Sequence, residues 1–272
     1  MWEKKKEQQK IFDGVVTEFP NDALKLKGFS QKNDGYIFVQ KVTSYSKKVR
    51  IGGVIIDVGC GTGSLLNEIS TNALNKHHLI GIDISSESVK IAKQRNKAVD
   101  FIVCDIEALP LRENIFNMVI IWNVLHHLST LKPLGNILRL LGSNGFLLID
   151  DKISGNPLQE IITLAYPLLP YSFKMVLREK GNHIDQHGHL PPTKRYSPRT
   201  YMKIIKQFSN ELCILEIRYH GFFFLLSFFE YLSCLFPWVT NIQMPLNKLF
   251  LPERHKMLRW TAISITIVAK RV

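Results

Sequence analysis

Between positions 50 and 150 the chain switches repeatedly between two hydrophobic patterns. Short continuous apolar runs alternate with amphipathic stretches, as in strands buried on both faces and joined by helices. Val54–Asp57, Leu79–Asp83, Phe101–Cys104, Phe116–Trp122 and Gly145–Asp150 are the predicted strands one to five. Ser64–Asn72, Ser85–Asn96 and Thr130–Leu141 are the helices between them, with Ser64 able to cap the first and Ser85 or Ser86 opening the second. Such alternation implies α/β architecture with a doubly wound parallel sheet and a ligand crevice at the carboxyl ends of the strands. Further on, Glu211–Ile217 is predicted as strand six and Ala262–Ala269 as strand seven. In strand seven Ile263, Ile265 and Ile267 alternate with Ser264 and Thr266, the pattern of a half-exposed antiparallel strand.

Four segments follow from this reading. Residues 1–50 are polar and mixed, with candidate helices over Gln8–Val16 and Tyr36–Lys48. Residues 51–151 form the core of alternating strands and helices. Residues 152–210 are an insertion in which the apolar stretch Leu158–Leu177 is broken by Pro167 and Pro170. There Ser197-Pro198-Arg199 opens a helix, with proline in its first turn. Residues 211–272 carry strands six and seven around a second apolar insertion at 220–258.

Candidate chemistry gathers after strand one. Ile55-Ile56-Asp57-Val58-Gly59-Cys60-Gly61-Thr62-Gly63 is an apolar run closed by an acid, then three glycines at alternate positions. Glycines in such a turn let a ligand approach bare backbone. A dinucleotide turn has glycine or alanine at its sixth position, whereas Ser64 stands there. Asp57 would repel a pyrophosphate but suits a cation. Asp83, 20 residues after Gly63, can accept hydrogen bonds from ribose hydroxyls. A ligand with a ribose, a positive charge and no diphosphate fits this set, and S-adenosylmethionine has that shape. Asp57, Asp83, Asp105 and Asn123 all fall at predicted strand tips, where Asp and Asn are also ordinary turn residues.

Asp57-Val58-Gly59-Cys60-Gly61-Thr62-Gly63 resembles motif I of the class I S-adenosylmethionine-dependent methyltransferases. Asp83-Ile84-Ser85 is similar to that family's acidic ribose contact, and Cys104-Asp105-Ile106-Glu107-Ala108-Leu109-Pro110 to its adenine-contacting segment. Phe116 to Leu128 resembles its fourth strand and the loop after it. The resemblance extends from about Ile51 to Asp150 and is type 11-like, related to the quinone and small-molecule methyltransferases. It implies a Rossmann-like, seven-stranded sheet with an antiparallel last strand and apolar helical insertions. It also implies S-adenosyl-L-methionine as cofactor, held by Asp57, Gly59, Cys60, Gly61, Gly63, Asp83, Ile84, Asp105, Ile106 and Asn123. N-terminal helices in such proteins often lie over the cofactor; simple core packing is the alternative for residues 1–50.

A hydroxyl acceptor would need a base, and His126 and His127, just after strand four, are the catalytic candidates. Loop packing is their structural alternative. The loop Asn123-Val124-Leu125-His126 departs from the Asn/Asp-Pro-Pro-Tyr/Phe signature of enzymes that methylate exocyclic amines of bases, which disfavours a nucleic-acid substrate.

Composition changes the picture in two places. The formal net charge of +12 on 272 residues favours anionic partners, either nucleic acid or an anionic membrane, unless it is only a solvated lysine-rich surface. The four cysteines form no C-x-x-C pair, and the opening Met1-Trp2-Glu3-Lys4-Lys5-Lys6 lacks an apolar signal core. Both point to a cytoplasmic location.

Two stretches stand apart. His183, Asp185, His187 and His189 cluster in a loop with two glycines before Pro191-Pro192. A polar substrate-side loop is the reading over a metal site, so no metal ligands are assigned. Gly221 to Trp238 is the most apolar segment, with Glu230 near its middle and Arg254, His255, Lys256 and Arg259 after it. Peripheral contact with an anionic membrane, a buried helix over the substrate pocket, and a bilayer span are the alternatives, taken in that order. The first places the protein at the inner face of the membrane, and either of the first two suggests a small-molecule or lipid-like acceptor. The rival functions are an RNA- or protein-directed methyltransferase, a nicotinamide-dinucleotide oxidoreductase, and a binding protein without turnover.

Overall fold

The computed structural model describes residues 6, 9–10, 13, 34–72, 76–128, 130–154, 196–208, 210–220 and 264–272. The His183–His189 loop, the Gly221–Trp238 stretch and most of Gln8–Val16 lie outside the described residues. The helices are α1 (Asp34–Ser46), α2 (Ser64–Asn72), α3 (Ser86–Arg95), α4 (Lys132–Leu140) and α5 (Pro198–Lys206). The strands are β1 (Val54–Val58), β2 (His78–Asp83), β3 (Asp100–Val103), β4 (Phe116–Trp122), β5 (Leu141–Lys152), β6 (Leu212–His220) and β7 (Ser264–Arg271).

They form one seven-stranded sheet in the order β3-β2-β1-β4-β5-β7-β6. Strands β1 to β5 run parallel, while β7 is antiparallel to both β5 and β6. This is the Rossmann-like methyltransferase fold. The strand order reverses between β1 and β4, which opens a crevice at their carboxyl ends.

Each face of the sheet has its own core. Ile55, Met118, Ile120, Leu148 and Val268 pack with Phe38, Val39 and Val42 of α1, with Leu65, Leu66 and Ile69 of α2, and with Val89 and Ala92 of α3. Ile56, Val119, Ile121, Ile149 and Ile267 pack on the other face with Leu134, Ile137 and Leu138 of α4 and Tyr201 and Ile205 of α5. Neighbours along a strand point to opposite faces, so helices on both sides require apolar residues at successive positions. Burying each such side chain contributes roughly 1.5–3 kcal/mol.

The helix starts have local causes. Ser85 accepts from the Ser88 N–H and caps α3, and Ser197 accepts from the Thr200 N–H before Pro198 of α5. Ser64 differs from expectation. It is the first residue of α2, and its hydroxyl accepts a 2.6 Å bond from Arg95 Nη1.

Strand seven also departs from its sequence pattern. Ile265 to Ala269 are all buried, so β7 is not half-exposed. It lies between β5 and β6, and its Thr266 is buried and bonded to those strands rather than to water. Thr266 donates to Asp150 Oδ2 over 2.5 Å, and Asp150 also pairs with His220 Nε2 at 2.7 Å. The solvent-facing edge is β6, where Leu215 and Ile217 are exposed.

Candidate active site

The glycine turn hangs from the tip of β2. The N–H groups of Gly59 and Cys60 both donate to Ile82 O, at 2.7 and 2.9 Å. Gly61 N–H donates to Asp83 Oδ2 over 2.8 Å, and Ser85 N–H to Asp83 Oδ1 over 2.9 Å. Thus Asp83 holds the turn while keeping acceptor capacity, since a carboxylate has about four acceptor sites. Burial raises its pKa, and the backbone donors of Ser85, Gly61 and Ile84 oppose that shift.

The three glycines do different work. A Cβ on Gly59 would stand 2.2 Å from Val124 Cγ2, and one on Gly63 would stand 2.7 Å from the Phe101 ring. These two allow close packing of strand, turn and helix. At Gly61, with φ +51, a Cβ would meet no described atom within 4 Å. That open space is where a ligand can lie against backbone.

Asp57 lies between Gly81 of β2 and Ile120 of β4. It is 2% exposed, and its Oδ1 has no hydrogen-bond partner among the described residues. Burial and then the Asp83 charge raise its pKa to about 7. A buried, unpaired carboxylate oxygen is unfavourable until a cation or donor reaches it. Cys60 is buried behind the turn, and burial pushes its thiol up, so it is an inert packing residue.

On the other side of Asp83, its carbonyl accepts from Cys104 N–H over 2.8 Å, which sets Asp105 beside it. Asp105 Oδ1 accepts from Glu107 N–H and caps the short 3-10 turn Ile106–Ala108, in which Ile106 is buried. Ile84 is half-buried between Asp83 and the α3 cap. Asn123 is at the tip of β4 with φ +55, and its N–H donates to Asp150 O over 2.8 Å. The sequence-predicted acids therefore gather along adjacent tips in the order β3, β2, β1.

His126 and His127 occupy the 3-10 turn Leu125–His127, with ring centroids 4.0 Å apart. His126 is 2% exposed, and its Nδ1 lies 2.5 Å from Asp151 Oδ1. Its own N–H donates to Asp151 Oδ2 over 3.0 Å. Tyr201 of α5 donates to that same oxygen over 2.9 Å.

Asp151, Tyr201, Arg95 and Asp13 escaped the sequence reading. Arg95 Nη1 donates to Thr62 O, Thr62 Oγ1 and Ser64 Oγ and so braces the glycine turn from α3. Asp13 accepts from Ser85 Oγ and from Glu87 N–H beside the Asp83 tip. The acidic pair closing strand five was the one available signal for Asp151. Nothing local marks Arg95, which is one of many cations. A cavity of about 710 Å³ opens at the opposite end of the sheet, lined in part by Lys48, Arg50, Asn114 and Asn144, and shares none of these acids.

The fold and this cluster of strand-tip acids define a class. Residues 51–180 match a family model described as a methyltransferase domain, and the sheet order is that of the class I S-adenosylmethionine-dependent methyltransferase fold. The chain is 36% identical over 114 residues to tRNA (carboxymethyluridine(34)-5-O)-methyltransferase of Arabidopsis thaliana, covering 40% of this chain and 26% of that protein. It is 25% identical over 184 residues to the ubiquinone/menaquinone biosynthesis C-methyltransferase of Pseudomonas savastanoi pv. phaseolicola, covering 64% of this chain and 69% of that one. Among solved structures, the plantazolicin methyltransferase in complex with a triazolic desmethylPZN analog and SAH superposes with a TM-score of 0.54 at 16% identity, covering 100% of this chain and 99% of that one. The chain spans about a quarter of the length of the tRNA methyltransferase relatives it matches, at 24% and 26%.

The residues present fit S-adenosylmethionine. Asp57 offers an unpaired buried oxygen to a cation, Gly61 leaves room against its backbone, and Asp83 retains acceptor sites for ribose hydroxyls.

Proposed function

We propose that the chain transfers a methyl group from S-adenosylmethionine to a small, lipophilic acceptor. The observation that carries this reading is the unpaired Asp57 oxygen, buried beside a glycine turn that Asp83 holds by its backbone. Asp57 and the turn hold the amino-acid end, Asp83 the ribose, and Asp105 the adenine amino group. Ile84 and Ile106 supply apolar walls to the base, and Asn123 closes the β4 tip. The bound sulfonium supplies an activated methyl group, so the protein's work is positioning and exclusion of water. His126 stands on the acceptor side as the base, with His127 packed against it.

Support for a small acceptor comes from coverage. The match to the quinone-pathway relative extends over 64% of this chain, against 40% for the plant tRNA relative. A second reading, RNA as acceptor, draws on the higher identity to that tRNA relative and on the net charge of +12. The location proposed is cytoplasmic, at the inner face of an anionic membrane, and its support is the aromatic stretch before Arg254 and Lys256. Among the described residues no helix is long and apolar enough to cross a membrane.

Two measurements test these points. Calorimetry should detect S-adenosylmethionine and not a nicotinamide dinucleotide; the reverse would end the proposal. Incubation with labelled cofactor and fractionated cell extract should send label into the organic phase. Label in RNA would select the second reading.

A further inference from the structure

Asp151 is fully buried, and four donors surround its carboxylate. Oδ2 accepts from His126 N–H and from the Tyr201 hydroxyl, at 3.0 and 2.9 Å. Oδ1 accepts from Lys152 N–H at 2.8 Å and lies 2.5 Å from His126 Nδ1. A carboxylate cut off from water is held by the donors around it, since an isolated buried charge is costly. An acceptor-only carboxylate 2.5 Å from His126 Nδ1 calls for hydrogen on that nitrogen, and a neutral imidazole protonated there keeps its lone pair on Nε2.

Tyr201 fixes the other side. Its ring is fully buried, and burial followed by the Asp151 charge raises its phenol well above the ordinary range, so it remains a donor. Tyr196, just before α5, donates to Leu128 O over 2.8 Å and anchors the same turn that carries the two histidines. Among the described residues, the other titratable groups facing this cluster are His127 on the turn itself and Glu107 of the Ile106–Ala108 turn, which acts on Tyr196.

We propose that Asp151 and Tyr201 are positioning residues that hold His126 as a base for a neutral hydroxyl, so that the acceptor is methylated on oxygen. This rests on the methyl-transfer reading above. The hydroxyl proton passes to His126 Nε2 as the oxygen lone pair bonds to the methyl carbon. The carbon–sulfur electron pair returns to sulfur, leaving S-adenosylhomocysteine, and the imidazolium later gives its proton to water. An ionised carboxylate or a neutral amine needs no such base. An aromatic or enolic hydroxyl matches imidazole better than an alkyl hydroxyl does, since proton transfer is most efficient between groups of similar affinity.

The test uses the full chain and Tyr201→Phe, which keeps the ring and removes the donor. Nitrogen NMR of the cofactor-free wild type should find His126 protonated at Nδ1 and bare at Nε2. In Tyr201→Phe the Asp151 charge is less dispersed and favours the imidazolium. The acid limb of its pH–rate profile on the labelled extract acceptor should therefore move to higher pH. Its rate should fall about 10- to 100-fold, as for the loss of other supporting hydrogen bonds, with cofactor affinity within about twofold of wild type. Label in the product should be released as methyl iodide by hydriodic acid, as from an ether. Hydrogen on Nε2, an unmoved pH profile, or label on nitrogen, sulfur or carbon would each overturn the proposal. A wild-type chain that fails to bind the cofactor would overturn the methyl-transfer reading instead, and the tautomer measurement would still decide how His126 is held.

Discussion

The Asp83 carboxylate accepts the Gly61 N–H across 2.8 Å, so the acid at the tip of β2 and the turn after β1 form one unit. The residue proposed to hold the ribose also shapes the turn proposed to meet the rest of the cofactor. A change at Asp83 therefore acts twice, on the turn and on the ligand.

Asp83→Asn should expose this double role. An amide must turn its NH₂ group toward either Gly61 N–H or Ser85 N–H, setting donor against donor. The expected loss of stability is about 1–3 kcal/mol, the cost of an unsatisfied buried group. Cofactor affinity should fall by about tenfold or more. Denaturant unfolding and calorimetry read the two effects separately.

Gly61→Ala should separate binding from folding. Left-handed backbone costs a non-glycine residue about 1–2 kcal/mol, and the added methyl meets no described atom within 4 Å. The variant should fold yet bind S-adenosylmethionine weakly. Gly59→Ala and Gly63→Ala should lose more stability, because Val124 and Phe101 already fill their space. Equal stability across the three variants would contradict this division of labour.

Asp57 predicts a pH dependence. Its pKa in the folded chain is raised to about 7, by burial and then by Asp83, against about 3.9 when unfolded. The folded state thus keeps a proton that the unfolded state releases. Its contribution to stability is full below about pH 4 and is lost as pH rises through about 7, a swing of at most about 4 kcal/mol. Asp57→Asn should match the wild type below about pH 4 and melt at a higher temperature near about pH 8. A cation beside Asp57 favours the charged carboxylate, so cofactor affinity in the wild type should rise through the same window with release of a proton. Thermal unfolding and calorimetry in buffers of different ionisation enthalpy check both signs.

Arg95→Ala removes the three bonds that brace Thr62 and Ser64. The expected cost is about 1–2 kcal/mol of stability, with cofactor affinity about tenfold weaker because the turn is less well held. Arg95→Lys should restore part of the loss, since a single guanidinium nitrogen reaches all three acceptors and an ammonium also carries three donors on one nitrogen.

Thr266→Val keeps the shape of β7 but deletes the donor to Asp150 Oδ2. Asp150 and His220 are both buried, so the loss should be about 1–3 kcal/mol by denaturant unfolding, with no change in cofactor affinity.

Much of this molecule could be read from local pattern. The apolar runs at Val54, Leu79 and Phe116 mark buried strands because both faces of the sheet are covered. The glycines after Asp57 mark a turn with left-handed backbone, and Gly59, Gly61 and Gly63 all have positive φ. Asp57, Asp83 and Asp105 close their strands, so a parallel sheet carries them to one end. Strand seven departs from its pattern because alternation of Ile with Ser and Thr signals a wet face only when nothing covers it. Between β5 and β6, Thr266 found partners instead.

The sequence by itself determined the alternation of strand and helix, the glycine turn and the acids at the strand tips, because periodicity and turn chemistry act over a few residues. The tertiary structure alone decided which of those groups share partners. Asp83 meets Gly61 across 22 residues, Asp151 meets His126 across 25, and Tyr201 reaches Asp151 across 50. Those meetings depend on strand order and on which face a helix covers. A local pattern records that a residue is buried, while the packing of distant elements determines what it is buried against.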